Sequence, residues 1–238
     1  MIYTKEKILI VMPAYNAEKT FLRVLHSIPS NFTDLLLVDD VSRDKTVSLA
    51  ESSGIRVVKH TKNQGYGGNQ KTCYKEALNF RADIVVMLHP DLQYDPKFIP
   101  NLVEPILSGR AFAVFGSRMM EVGEASRGGM PLYKIFSNII LSKLANLLTG
   151  ANFTEWHCGF RAYSRKCLEV VEFSQNSDGY DFDIEMTLKL LKEGIKIVEI
   201  PIPTRYDDDA SSISFYGSVI YGLNFLKRII QYRLGLYP

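Results

Sequence analysis

Residues 85–96, VVMLHPDLQYDP, end an apolar run with side chains that can bind a cation. His89, Asp91 and Gln93 alternate, so an extended backbone would point all three to the same side. Asp91 offers a hard carboxylate oxygen for Mg²⁺ or Mn²⁺, Gln93 a neutral carbonyl, and an imidazole at His89 would favour Mn²⁺. The alternative is a turn at Pro90 that Asp91 caps, with His89 serving only in packing.

Acidic side chains occur at two other places where they could take part in chemistry. Asp39 and Asp40 follow the apolar LLLV, where a carboxylate could accept a hydrogen bond from a nucleobase or a ribose, or could form a turn and cap the next helix. Asp183 lies at the start of a predicted helix in GYDFDIEMTLKLL. It could complement the helix dipole there, or act as a general base toward a hydroxyl acceptor. The spacing leaves these alternatives open.

A glycine-rich segment and four arginines are candidate phosphate contacts. In NQGYGGNQK, glycines such as Gly65 before a helix can bring N–H groups close to an anion. The GxGxxG and GxxxxGK[ST] motifs are absent, and a tight turn explains the segment equally well. Arginine suits bidentate phosphate binding, although each of the four could be a solvated surface charge. The four are Arg118, Arg127, Arg161 and Arg205.

The segments that position these residues alternate between strand-like and helix-like patterns. This alternation predicts a parallel sheet with right-handed crossovers, in which a ligand binds at the carboxyl ends of the strands. The predicted strands are residues 8–12, 35–38, 55–59, 84–88, 112–115 and 195–200. The predicted helices are residues 17–28 (capped by Asn16), 43–53, 69–80, 96–107, 132–148, 182–193 and 214–233, with a loop at 121–131.

The composition argues against several other classes of protein. In this chain of 238 residues, 28 Lys and Arg against 26 Asp and Glu give a formal charge of +2, which does not favour a nucleic-acid binder. Three cysteines without a CxxC pair predict reduced thiols. We expect neither a membrane span nor a signal peptide, and therefore a cytoplasmic protein. The last helix mixes aromatic, apolar and basic residues, which suits either ordinary packing or a membrane interface.

The order of the motifs resembles that of one enzyme family. MPAYNAEKT, LLLVDDVSRDKT, NQGYGGNQK, MLHPDLQYDP, FGSR, CGFRAY and FDIEM follow one another over residues 7–207. This order is similar to that of inverting family 2 glycosyltransferases, in particular the dolichyl- and polyprenyl-phosphate sugar transferases. The resemblance implies an α/β, Rossmann-like GT-A fold with a C-terminal amphipathic helix, in a single domain. Within it, residues 1–118 would bind the nucleotide-sugar, 119–212 the acceptor, and 213–238 would form the helix.

The resemblance also implies roles for individual residues. The nucleotide-sugar would contact Pro13, Tyr15, Glu18, Asp39, Asp40, Gly65, Arg127 and Arg205. The metal ligands would be Asp91, Gln93 and His89, and the catalytic residues Asp183, Asp91 and Arg118. The acceptor-side motif would be Gly159, Phe160 and Arg161.

Three residues depart from the family's pattern. His89 replaces the usual aspartate, so it either ligates the metal through nitrogen or contributes only its backbone. Val41 replaces the glycine of the turn after Asp40. Asp183 occupies the position of the base in hydroxyl-directed transferases, whereas polyprenyl-phosphate transferases often have a non-acidic residue there because a phosphate acceptor is already ionised.

The predicted reaction is the inverting transfer of a sugar from a UDP- or GDP-sugar. Mg²⁺ or Mn²⁺ and arginines would neutralise the leaving diphosphate. The first-choice acceptor is a polyprenyl or other lipid phosphate at the cytoplasmic face of a membrane, reached by peripheral contact, with a homo-oligomer left open. The alternatives are transfer to a hydroxyl with Asp183 as base, a nucleotidyltransferase, and an inactive nucleotide-sugar-binding protein.

Overall fold

The apolar runs of the sequence form the strands of a central sheet. The structure, a computed structural model, describes residues 6–121, 123–203 and 215–236. The strands in these ranges are β1 (Ile8–Ala14), β2 (Leu35–Asp39), β3 (Arg56–Lys59), β4 (Ile84–Met87), β5 (Ala113–Ser117), β6 (Arg161–Ser164) and β7 (Ile197–Pro201). Their order is β3-β2-β1-β4-β6-β5-β7, and neighbours are parallel except in the two pairs that β6 makes. Strands from both predicted halves therefore share one sheet.

Helices cover both faces of the sheet, because successive side chains of a strand point to opposite faces. Ile10 and Met12 of β1 contribute to one apolar cluster, with Phe21, whereas Leu9 and Val11 contribute to the other. The helices are α1 (Phe21–Ser27), α2 (Thr46–Ser52), α3 (Gly65–Asn79), α4 (Ile99–Leu107), α5 (Glu124–Arg127), α6 (Leu132–Thr149), α7 (Arg165–Val170), α8 (Phe182–Lys192) and α9 (Phe215–Arg233).

This arrangement confirms the predicted α/β class with a mostly parallel sheet. The sequence analysis missed β6 and α7, because a strand of four residues that begins with Arg161 has no apolar pattern. Arg161 is nevertheless buried inside the sheet, where its guanidinium donates to the backbone carbonyls of Cys158 (2.7 Å) and Asp183 (2.9 Å). These hydrogen bonds compensate the cation for its loss of water.

Three local predictions are wrong. The first helix is not capped by Asn16, because α1 begins at Phe21 and the Asn16 side chain accepts a hydrogen bond from the backbone N–H of Arg43 (2.8 Å). The helix predicted from residue 69 begins at Gly65, so the glycine-rich segment forms its first turn. The predicted loop at 121–131 contains α5.

The helices α6, α8 and α9 pack together beside the sheet. They share an apolar cluster that includes Trp156 and Phe225. Arg228 of α9 reaches the start of α8, where it pairs with Glu185 (2.8 Å) and Asp181 (3.3 Å). In the ranges that the structure describes, we find no helix of the length and apolar character that a membrane crossing needs.

Candidate active site

Two adjoining pockets lie at the carboxyl ends of β1, β2 and β4. We call the one beside β1 and β2 the sheet pocket, and the one walled by α6 and α9 the helix pocket. Of the residues that the sequence singles out, the sheet pocket brings together Pro13, Tyr15, Glu18, Asp40 and Gly65, and the helix pocket Gln93, Arg118 and Asp183. The side chains that line both pockets are Tyr66, His89, Asp91 and Tyr180.

Asp40 holds the start of α3 in place. Its Oδ1 accepts hydrogen bonds from the backbone N–H of Gln64 (2.8 Å) and interacts with Nδ1 of His60 (2.7 Å). Its Oδ2 accepts from the backbone N–H of Gly65 (3.0 Å). Asp40 therefore does not cap the next helix, α2, whose N-cap is Lys45, but fixes the start of α3, and a nucleotide contact by this carboxylate stays a prediction.

The glycines of NQGYGG make room for a neighbouring loop. A Cβ on Gly67 would lie 2.3 Å from the carbonyl oxygen of Ser177, and one on Gly65 would lie 2.8 Å from that of Asp178. The backbone N–H of Gly67 donates to the Asp178 carbonyl (2.8 Å), so this N–H and that of Gly65 are bonded within the chain. The segment is thus a turn that packs closely against residues 177–179, and not the phosphate cradle that the glycines suggested.

Asn69 is a buried polar residue of the sheet pocket that the sequence analysis did not select. Its amide nitrogen donates to the carbonyl of Val38 (3.1 Å), which sets the orientation of the side chain. Its Oδ1 is buried and makes no hydrogen bond within the described ranges, and the same holds for Oδ1 of Asp39. Since buried acceptors are normally satisfied, Asn69 is a candidate contact for an N–H or O–H group of a ligand. Asp39 itself does not line either pocket.

Val41 has a backbone conformation that favours glycine. Its φ is +68°, in the left-handed region that a β-branched residue rarely adopts. The turn is held by Asp39, whose Oδ2 accepts a hydrogen bond from the backbone N–H of Ser42 (3.0 Å). A residue in such a region costs on the order of 1–3 kcal/mol, so Val41 places strain beside the sheet pocket.

The segment from His89 to Gln93 is a turn and not an extended strand. Leu92 has a φ of +66°, and Oδ1 of Asp91 accepts a hydrogen bond from the backbone N–H of Gln93 (3.1 Å). Of the two alternatives, the turn that Asp91 caps describes the backbone here, and it still brings His89, Asp91 and Gln93 to the helix pocket. Burial raises the pKa of the Asp91 carboxyl, and the nearby His89 opposes this rise.

The residues at this turn fit a magnesium or manganese ion that shares its coordination with a substrate. The described ranges contain no cluster of three or more His, Cys, Asp or Glu that could enclose a metal. Oδ2 of Asp91 makes no hydrogen bond with a described residue, and the imidazole of His89 lines the same pocket. Because Mg²⁺ and Mn²⁺ commonly retain waters and bind substrate phosphates, this small donor set is compatible with either ion.

Asp183 is joined to this turn by Tyr66. The Tyr66 hydroxyl donates to Oδ2 of Asp183 (2.7 Å) and lies 3.4 Å from Nε2 of His89. The rings of Tyr66 and His89 are stacked, with 5.3 Å between their centroids. Oδ1 of Asp183 is buried and makes no hydrogen bond within the described ranges, so one oxygen is available to a ligand. Sequence reasoning missed Tyr66 because the three residues are far apart in the chain.

Arg118 provides a buried positive charge in the helix pocket. Its Nε donates to both carboxylate oxygens of Glu155 (3.0 and 3.2 Å), and its Nη2 donates to the same carboxylate. Burial alone would lower the pKa of Arg118, but the Glu155 carboxylate raises it well above the ordinary value, so Arg118 remains a cation. Lys134 lines the same pocket. Glu155 escaped the sequence analysis because its partner lies 37 positions away.

Three of the predicted arginines lie away from the pockets or outside the described residues. Arg127 is exposed, pairs with Glu124 on α5, and lines neither pocket. Arg161 is buried and bonded to backbone carbonyls, as described above, so it is neither the phosphate contact nor the solvated surface charge that the sequence left open. Arg205 falls outside the described residues.

Comparison with known proteins agrees with these features. Residues 9–171 match the model of glycosyl transferase family 2. The UDP-N-acetylglucosamine–dolichyl-phosphate N-acetylglucosaminyltransferase of Methanococcus voltae is 28% identical over 246 residues, which cover 96% of each chain. The undecaprenyl-phosphate mannosyltransferase of Micrococcus luteus is 28% identical over 206 residues, 82% of each chain.

A solved structure shares the fold. Glucosyl-3-phosphoglycerate synthase from Mycobacterium tuberculosis, in complex with Mn²⁺, UDP and phosphoglyceric acid, superimposes with a TM-score of 0.75. Its sequence is 22% identical, and the similarity covers 98% of this chain and 80% of the other. The resemblance that the motifs suggested is confirmed: the chain belongs to glycosyltransferase family 2 and is a glycosyltransferase with the GT-A fold.

Proposed function

We propose that this enzyme transfers a sugar from a nucleotide-sugar to a lipid-linked phosphate. The observation that supports this most is the helix pocket, which meets the sheet pocket at His89 and Asp91 and presents the buried cation of Arg118. Arg118 and Lys134 place two basic side chains beside the point of transfer, where they can contact an anionic acceptor. Two relatives named for polyprenyl- or dolichyl-phosphate acceptors align over most of the chain, which agrees with this acceptor class.

In this proposal each pocket binds a different substrate. The nucleotide would lie in the sheet pocket, with its diphosphate toward Asp91 and His89, which would hold Mg²⁺ or Mn²⁺. When bound, the ion supplies charge neutralisation for the leaving diphosphate. The acceptor phosphate would enter from the helix pocket, where Arg118 and Lys134 orient its oxygen toward the anomeric carbon. Attack from the side opposite the diphosphate inverts that carbon.

A hydroxyl acceptor is the second candidate. Asp183 lines the helix pocket, and its Oδ1 has no hydrogen-bond partner within the described ranges, so this oxygen could accept the proton of a hydroxyl. Against it, Oδ2 of the same carboxylate already binds the Tyr66 hydroxyl (2.7 Å), and Arg118 favours an acceptor that carries negative charge.

We expect sugar transfer to polyprenyl monophosphate and not to the corresponding polyprenol. The test measures label transfer from UDP-N-acetylglucosamine, UDP-glucose and GDP-mannose at saturating Mn²⁺, with the wild type and Asp183→Asn. If phosphate is the acceptor, Asp183→Asn keeps the rate within about tenfold, because no base is needed and asparagine still accepts from Tyr66. Transfer to a hydroxyl acceptor that falls about 10²–10⁴-fold in Asp183→Asn would establish the second candidate instead.

The outer surfaces of α6 and α9 support delivery of the acceptor by a membrane. α6 exposes Leu132, Phe136 and Ile140, and the adjacent α9 exposes Val219 and Leu223. These two helices also wall the helix pocket, through Lys134 and Leu141 on one side and Tyr221 on the other. The exposed lysines Lys143 and Lys227 lie on the same helices, so the surface suits a bilayer with anionic headgroups. A lipid phosphate could then reach Arg118 without leaving the membrane surface.

We expect Phe136→Glu combined with Ile140→Glu to lower the affinity for vesicles of phosphatidylglycerol and phosphatidylcholine by at least about 100-fold. Burial of each side chain contributes about 1.5–3 kcal/mol, which the charged residues remove. Co-sedimentation with the vesicles measures this affinity. Val170→Glu is the matched control, because Val170 is 43% exposed on α7, which does not contribute to the helix pocket. An equal loss of vesicle affinity in the double variant and in Val170→Glu would exclude this surface as the site of membrane contact.

A further inference from the structure

His89, the histidine that replaces the usual aspartate of the family, belongs to a chain of hydrogen bonds that links three segments of the protein. Asp183 lies in the first turn of α8, Tyr66 lies in the first turn of α3, and His89 follows β4. The Tyr66 hydroxyl donates a hydrogen bond to Oδ2 of Asp183, with 2.7 Å between the two oxygens.

This arrangement determines which nitrogen of His89 carries hydrogen. The single hydroxyl hydrogen of Tyr66 is used in the hydrogen bond to Asp183. The Tyr66 oxygen can therefore act toward His89 only as an acceptor. Nε2 of His89 lies 3.4 Å from that oxygen, at the long end of the hydrogen-bonding range, and therefore carries the hydrogen as the donor. Nδ1 is then the nitrogen with a free lone pair, and it makes no hydrogen bond with a described residue.

The surroundings of the pair keep the imidazole in this orientation. The rings of Tyr66 and His89 are within 3° of parallel, so the imidazole rests against the tyrosine face. Gly159, from the CGFRAY motif, borders the contact: a Cβ there would lie 3.2 Å from both Nε2 of His89 and the Tyr66 hydroxyl oxygen. A Cβ at 159 would be in tight contact with both atoms, whereas glycine leaves the space that the pair occupies.

We propose that Tyr66, held by Asp183, is a positioning residue that presents Nδ1 of His89 as a metal ligand beside Asp91. Histidine ligands of metals commonly donate their other ring N–H to an outer partner, often a carboxylate, which fixes the tautomer and ring orientation. Here the tyrosine relays that interaction to the carboxylate of Asp183. The inference rests on the metal-dependent function proposed above, and it gives Asp183 a role with a phosphate acceptor, for which no general base is required.

The experiment uses Mn²⁺, with and without UDP or GDP, and the intact protein. Pulsed electron paramagnetic resonance detects coupling between bound Mn²⁺ and a ¹⁴N nucleus. We expect this coupling in the wild type and its absence in His89→Ala. In Tyr66→Phe, which lacks only the hydroxyl, the Mn²⁺ affinity should fall about 10–100-fold, as is usual when an outer partner of a ligand is removed.

His89→Asp supplies the control for a purely structural effect. An aspartate ligand does not need the Tyr66 hydroxyl, so His89→Asp alone and His89→Asp with Tyr66→Phe should bind Mn²⁺ within about threefold of each other. An equal fall in affinity on removal of the hydroxyl in both backgrounds would overturn the proposal, and so would a wild type that binds no Mn²⁺ or shows no ¹⁴N coupling.

The same measurements separate this inference from the proposed function. Coupling in the wild type together with the lower Mn²⁺ affinity of Tyr66→Phe, in a protein that transfers no sugar to polyprenyl phosphate, would support the role of Tyr66 and reject that acceptor. Sugar transfer without the coupling would reject the role of Tyr66 alone.

Discussion

Replacement of Glu155 by alanine is expected to lower the free energy of unfolding by about 3–5 kcal/mol, because it leaves the cation of Arg118 buried without a counter-charge. Both side chains are almost inaccessible, with Arg118 6% and Glu155 1% exposed. Glu155 also accepts hydrogen bonds from the backbone N–H of Arg118 (2.7 Å) and from the side-chain amide of Asn138 (2.8 Å). The substitution removes all of these contacts together.

Urea unfolding at neutral pH measures this loss, with Glu124→Ala as the matched control. Glu124 pairs with Arg127 on the surface, where such a pair contributes about 0–1 kcal/mol. If the free energy of unfolding falls by a similar amount in both variants, loss of the buried partner of Arg118 costs no more than loss of a surface partner, contrary to the prediction. We further expect the Glu155→Ala protein to lose acceptor binding, because Arg118 would no longer be held in the wall of the helix pocket.

The same pair predicts a dependence of stability on pH. Burial tends to raise the pKa of Glu155, but the charge of Arg118 and its hydrogen bonds outweigh burial and lower the pKa below the ordinary 4.5. A carboxyl whose pKa is lower in the folded state stabilises the fold above its unfolded pKa, and this stabilisation is lost as the pH falls through the folded pKa. The difference between wild type and Glu155→Ala should therefore shrink below about pH 4.5.

Replacement of Asp91 by asparagine is expected to lower the rate of sugar transfer by about 10²–10³-fold, the usual cost of removing one group that stabilises charge in the transition state. Asp91 lines both pockets, at the point where the diphosphate would leave. The substitution should not weaken the fold. Burial raises the pKa of Asp91, which shows that its charge is costly in the folded protein, so the neutral amide should unfold at an equal or higher temperature.

Initial rates at saturating donor and Mn²⁺, together with thermal unfolding, separate a loss of function from a loss of structure. Asp34→Asn is the matched control, because Asp34 precedes β2 at the opposite end of the strand from the pockets. We expect it to keep both the rate and the unfolding temperature of the wild type. A rate for Asp91→Asn within threefold of the wild type would exclude Asp91 from the transfer site.

Most strands of the sheet could be predicted because their signal is local. β1, β2 and β4 are apolar runs, and their carboxyl ends carry the polar residues that line the pockets. β6 could not be predicted, since a strand that contains a buried arginine becomes stable only when Cys158 and Asp183 supply carbonyl acceptors. The start of α3 was missed for a related reason: its glycines fit a helix only because residues 177–179 pack against them.

The candidate site was predicted less completely than the fold. The sequence identified the residues after β4, but it left an extended backbone and a turn both open, and only the φ of Leu92 excludes the extended one. It treated Asp39 and Asp40 alike, although Asp40 is bonded to the start of α3 whereas Oδ1 of Asp39 is not bonded to any described residue. Such differences depend on hydrogen-bond partners from other segments.

The sequence by itself determined the alternation of strands and helices and the edge of the sheet at which the polar residues gather, because hydrophobic periodicity and motif order are properties of neighbouring residues. The tertiary structure alone decided which charged groups remain available to a ligand. Tyr66 and Asp183 are 117 positions apart, and Arg118 and Glu155 are 37 apart. Whether a carboxylate caps a helix, neutralises an arginine or orients a ligand depends on such distant partners, which meet only when the sheet and its helices have packed.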